Sequence, residues 1–100
     1  MSLALAFDLD NQSFAVFPAG VSPIKRIPDD AVFTALPAGI RILQLEVTGL
    51  LFEYGTATIR IEPSGIREYA EMLVSDSEGK MWNVVLDPYQ THAKISPYGR

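Results

Sequence analysis

Apolar residues in this chain recur at every second position, and never for long. Leu3, Leu5, Phe7 and Leu9 alternate with Ala4, Ala6 and Asp8; Ala57, Ile59 and Ile61 alternate with Thr58, Arg60 and Glu62; Trp82, Val84 and Leu86 follow the same rule. A period of two places one residue set on one face of a strand, whereas a helix repeats every 3.6 residues. Each run stops at a cluster of Pro, Gly, Asp or Asn, the residues that reverse a chain. Runs this short and this closely spaced satisfy their backbone groups by pairing with one another, which predicts an antiparallel β protein.

The first reversal lies in "AFDLDNQSF", where Asp10-Asn11-Gln12 is the expected turn of a hairpin over residues 3–17. Residues 18–30, "PAGVSPIKRIPDD", contain three prolines and read as a loop. A short strand over 31–36 and a turn at Pro37-Ala38-Gly39 lead to a strand over 40–47, with Ile40, Ile42 and either Leu45 or Val47 pointing inward. Residues 49–55 read as an apolar connection between glycines, 56–62 as a strand, and Pro63-Ser64-Gly65 as its end.

Residues 66–76 fit two periods. Ile66, Tyr69, Ala70 and Leu73 would form a helical stripe, while Ile66, Ala70, Met72 and Val74 share one strand face. The turns on either side, "PSG" and "DSEG", decide for a strand. Strands over 80–87 and 92–96 follow. The expectation is a single domain over residues 1–100, with about seven strands in two packed sheets. Its core would hold Phe7, Phe14, Ile42, Ile59, Ile61, Val74, Trp82, Val84 and Leu86.

Composition narrows the functions. Twelve acidic residues against eight basic ones give a net charge of −4, which offers no footprint for a phosphate backbone, so no nucleic-acid partner is expected. The absence of cysteine removes disulfides, thiolate metal sites and a cysteine nucleophile. No uninterrupted apolar stretch is long enough to span a bilayer.

The chemistry-bearing residues read as structural. Asp8-x-Asp10 after an apolar run is similar to the nucleophile and acid/base pair of haloacid-dehalogenase-type phosphatases. The hydroxyl expected two residues after the second Asp is replaced by Gln12, however, and Ser13 comes one position late. A calcium loop starting at Asp8, Asp10 and Asn11 lacks its glycine and its closing glutamate. His92 stands alone, so no multi-histidine site forms. Glu68 and Glu71, Asp29-Asp30 and Asp76/Glu78 read as solvated or turn carboxylates, and Tyr54, Trp82 and Tyr89 as sheet and core aromatics. No catalytic residue, cofactor, metal or small-molecule substrate is expected.

The one candidate contact lies in the proline loop, where Ile24 and Ile27 flank the only basic doublet, Lys25-Arg26. Either the isoleucines cover an open end of the sandwich, or they anchor a neighbouring protein inside a polar rim.

The order of the turns adds a family resemblance. Leu36-Pro37-Ala38-Gly39-Ile40, Ile61-Glu62-Pro63-Ser64-Gly65, Asp76-Ser77-Glu78-Gly79 and Trp82-Asn83-Val84-Val85-Leu86-Asp87-Pro88 follow one another as in the globular part of type IV pilin-like proteins. The chain resembles the H-type minor pseudopilins of the type II secretion system and the related minor pilins. The resemblance implies the two-sheet headgroup of the α+β pilin fold with its N-terminal helix removed. It also implies a parent with a methylated N-terminus, anchored by that helix in the Gram-negative inner membrane, and a headgroup on the periplasmic side. Its partners would be other minor and major pseudopilins, and its role that of a non-enzymatic assembly subunit for protein transport. The alternative from the same resemblance is a DNA-binding minor pilin for DNA uptake; the Thr-Gly-Arg often found after the final Asp-Pro is absent, and Thr91-His92-Ala93-Lys94 stands there instead.

Overall fold

The computed structural model describes residues 2–19, 27–63, 65–66, 68–89 and 93–98. Among these there are ten strands and no helix. They are β1 (Leu3–Asp8), β2 (Ser13–Pro18), β3 (Thr34–Ala35), β4 (Arg41–Val47), β5 (Leu50–Phe52), β6 (Thr56–Glu62), β7 (Gly65–Ile66), β8 (Ala70–Ser75), β9 (Met81–Leu86) and β10 (Lys94–Pro97). They form two five-stranded sheets, ordered β3-β2-β1-β6-β7 and β10-β9-β8-β4-β5, in which every pairing is antiparallel.

The expected alternation places the core. In the first sheet Phe7 pairs with Phe14 and Ala57, and Leu5 with Ile59, so all five side chains share one face. In the second, Leu45 pairs with Met72 and Val47 with Ala70. The two faces meet in one apolar cluster built on Phe7, Leu9, Ala57 and Ile59 from one side and Ile42, Leu45, Val47, Ala70 and Met72 from the other. Leu45 and Ile59 are its largest fully buried side chains.

Strict alternation along β4 would put Ile42 and Leu45 on opposite faces, yet both are buried. A register shift between Ile42 and Gln44 explains this. Leu43 is an extra residue in the ladder, and the bulge returns Leu45 and Val47 to the side of Ile42. Ile40, expected inside, lies before the strand and is exposed.

Three other expectations are corrected. Residues 49–55 are more than a connection, because Thr48 and Gly49 both adopt positive φ, at 45° and 88°, and fold β5 back onto β4. Two consecutive left-handed residues make the type I′ turn whose twist suits a two-residue hairpin. The strand over 66–76 is divided: Ile66 pairs with Ile61 in the first sheet, and only from Ala70 does the chain join the second. Among the expected core residues, Phe14, Val74, Val84 and Leu86 are partly buried against the cluster, while Ile61 and Trp82 are half-buried outside it.

The first sheet also buries its other face. Ala4, Ala6, Ala15 and Phe17 form a second cluster, covered in part by Ala19, Ile27 and Ala31. Small side chains suit that face because they let the returning chain lie close to the sheet.

The turn before β4 and the turn after β8 touch. Gly39, at φ +88°, lies so close to the turn after β8 that a Cβ there would sit 2.7 Å from the Cβ of Ser77. Gly79, at φ +81°, has open space around it. Gly39→Ala therefore carries both left-handed strain and overpacking, about 2–4 kcal/mol, and Gly79→Ala strain alone, about 1–2 kcal/mol. Urea unfolding of the two variants measures the difference; equal losses would show that the approach to Ser77 does not matter.

Candidate functional site

The Asp8-x-Asp10 pair is committed to the hairpin turn. Asp8 Oδ1 accepts the amides of Asp10 (3.1 Å) and Asn11 (3.2 Å), and its Oδ2 accepts the Asn11 side-chain amide at 2.8 Å. Asp10 Oδ1 accepts the Gly55 amide at 3.2 Å, while the Leu9 amide donates to the Gly55 carbonyl at 2.8 Å. One carboxylate organises the turn and the other ties it to the loop before β6. The two do not converge on a common point as a nucleophile and its acid/base partner must.

Gln12, the residue that stands where a phosphatase would carry its hydroxyl, bridges the two sheets. Its Nε2 donates to the carbonyls of Leu9 (2.8 Å) and Ile42 (3.0 Å), and its Oε1 accepts the Ile42 amide at 2.7 Å. Its own carbonyl accepts the Leu36 amide at 3.0 Å. A φ of +52° aims this side chain across the gap.

A second Asp organises the β8–β9 turn. Asp76 Oδ1 accepts the amides of Glu78 (2.9 Å) and Lys80 (3.0 Å), and Oδ2 accepts the Trp82 indole at 3.1 Å. The Lys80 ammonium lies 4.5 Å from the centre of the Trp82 ring. The acidic-Gly sequence read as a turn is thus a turn with a polar interior.

Arg60, which alternates with the apolar residues of β6, is buried beside Ala4 on the second face of the first sheet. Its Nε donates to Glu62 at 2.9 Å, Glu62 accepts the Ser2 hydroxyl at 2.8 Å, and Glu68 accepts the Arg60 amide at 2.8 Å. No pattern in the sequence distinguishes this from an ordinary solvated arginine. Tyr54 and Tyr89, read as sheet or core aromatics, are exposed in turns at 79% and 92%.

Of the expected contact residues, Ile27 is half-buried and packs on the second face of the first sheet, so in this chain it covers that face. Ile24, Lys25 and Arg26 lie outside the described residues, as does His92. Among the described residues no group of three or more His, Cys, Asp or Glu side chains is placed to hold a metal ion.

The β4–β5 side of the second sheet exposes apolar side chains at its edge. Leu50 and Leu51 are exposed on opposite faces of β5, and Tyr54 follows them. Comparison with protein-family models, curated proteins and solved structures finds no match for this chain.

Two measurements follow from the turn geometry. Gln12→Ala strands the Ile42 amide and carbonyl without their partner, at about 1–3 kcal/mol for each group that water does not reach. Its unfolding midpoint should fall accordingly, while Gln12→Glu, which keeps only the acceptor, recovers part of the loss. The second concerns pH. The Asn11 side chain holds Asp8 below the ordinary carboxylate value of 3.8, and the Trp82 indole does the same to Asp76. Depressed folded values mean stability that is complete above the ordinary value and is lost as pH falls through the folded ones. Urea midpoints should therefore decline below pH about 4, and the Asp8→Asn/Asp76→Asn variant should flatten that decline; an unchanged acid limb would contradict it.

Proposed function

We propose that this chain is the globular headgroup of a minor pseudopilin of the type II secretion system, a non-enzymatic assembly subunit carried on the periplasmic side of the inner membrane. In this reading a helix preceding the headgroup anchors the parent and packs into the filament. The β domain contacts other minor and major pseudopilins. The fold would then be the headgroup of the α+β pilin fold.

The supporting observation is the placement of the motifs that carry the resemblance. Leu36-Pro37-Ala38-Gly39 turns immediately before β4, Pro63 follows β6, Asp76–Gly79 joins β8 to β9, and β9 ends at Asp87-Pro88. Two of them meet, since Gly39 of the first turn lies against Ser77 of the third. Their co-occurrence in one chain thus has a physical reason: the glycine of one turn makes room for the other. Both aspartates of the opening motif are engaged in turn contacts, which also favours assembly over phosphoryl transfer.

The expected outcome at the gene is a reading frame that continues upstream of the codon for Leu3 into a long apolar helix behind a prepilin-peptidase cleavage site. Deleting that gene should abolish release of the system's secreted proteins, and a photo-crosslinker at position 24 should capture another pseudopilin. A start codon at Met1 with no such helix, together with normal secretion in the deletion strain, would refute the assignment.

A further inference from the structure

Among the described residues four strands form the sheet edges: β3 and β7 in the first sheet, β5 and β10 in the second. A free edge is a row of unpaired N–H and C=O groups that templates pairing with another chain, and natural sheets blunt it with proline, lysine or a bulge. Pro37 stands two residues after β3, Pro63 two residues before β7, and β10 itself carries Lys94 and Pro97. Leu50–Phe52 of β5 is short, at three residues, but carries no proline, lysine or bulge. The two-residue turn makes Val47 and Leu50 a hydrogen-bonded pair, so the alternation turns the N–H and C=O of Leu51 away from β4. The side chains there are apolar and open, Leu50 at 65% and Leu51 at 58%.

The register supplies a second observation. On the face of the second sheet that looks away from the core, Leu51, Glu46, Glu71, Val85 and Lys94 stand in one cross-strand row. Glu46 and Glu71 are thus directly opposite each other, an arrangement that like charges disfavour. Among the described residues neither carboxylate has an ion-pair or hydrogen-bond partner. Lys94 stands on the Glu71 side of the pair, two strands away with Val85 between, and among the described residues no cation stands at the matching place beyond Leu51 on the Glu46 side. A cation arriving from the β5 side would relieve the repulsion.

We propose that the β5 edge binds an extended segment of another protein, apolar and carrying one Lys or Arg, which adds as a sixth strand to the second sheet. The incoming residue opposite Leu51 lies about 10 Å from Glu46, two strand spacings away. A long basic side chain covers that distance with its stem on Leu51 and its charged head at the Glu46 carboxylate. Main-chain bonds to Leu51 supply attraction and the charge supplies selectivity. This inference stands on the edge and the glutamate pair and does not require the pseudopilin assignment.

The test titrates isotope-labelled protein with the blocked pentapeptide Thr-Val-Arg-Val-Thr and follows backbone amides by NMR. Shifts should centre on residues 50–52. The Glu-centred peptide should bind at least about twofold more weakly, the scale of exposed charge pairs. Glu46→Gln should narrow that gap. Leu51→Pro removes an amide that faces outward, a substitution edge strands tolerate, and should abolish binding with the other strands' amides unmoved; if that variant unfolds, Leu51→Lys, which adds a charge to the edge, should abolish binding instead. The proposal is overturned if neither peptide moves residues 50–52 at millimolar concentration, if both bind equally, or if the folded edge variant binds like the parent chain. Concentration-dependent shifts of the same amides in the protein alone would overturn it too, since the occupant would then be a second copy.

Discussion

One side-chain amide bridges the two sheets beside their apolar core. β4 is seven residues long, but β5 pairs only with Leu45–Val47, which leaves the first half of β4 without a neighbour on that side. Gln12 fills the gap: its amide donates to and accepts from Ile42 as a strand residue would, and the hairpin of the first sheet thereby pairs with the second. The bulge begins at the same residue. A bulged ladder is locally weak, so a bidentate partner at Ile42 both satisfies buried backbone groups and fixes which β4 side chains face the core.

Much of this was legible in the sequence, for identifiable reasons. Period-two patterning located β1, β2, β4, β6, β8 and β9, and the Asp/Asn and Asp…Gly clusters located their turns, because both signals are local. Leu45 was left undecided between inside and outside because the extra residue at Leu43 has no sequence mark. β5 was missed because its turn uses Thr48, a β-branched residue in a conformation such residues rarely adopt. Arg60 and the alanines of the second face were missed for a different reason. Alternation tells which residues share a face, but not that the chain after β2 returns to cover that face.

The same limits apply to function. Asp8, Asp10 and Asp76 draw attention as carboxylates, yet each accepts hydrogen bonds that build a turn, and it is the geometry that demotes them. The features that point outward are negative ones: an edge without a blunting residue, and two glutamates without a partner among the described residues. Neither is visible until the register is known, because Glu46 and Glu71 are far apart in the chain and adjacent only across the β4–β8 ladder.

The position of β1 bears on how the chain reaches this state. β1 sits between β2, which follows it after a four-residue turn, and β6, whose pairing joins Leu3 to Ile61. The hairpin closes early and locally, but its other edge stays open until β6, which begins at Thr56, has been made. During synthesis that interval exposes an alternating apolar strand to other nascent chains, and loops of this length close slowly compared with local contacts. Folding speed, and with it escape from aggregation, should therefore be governed by the arrival of β6 rather than by the stability of the finished sandwich.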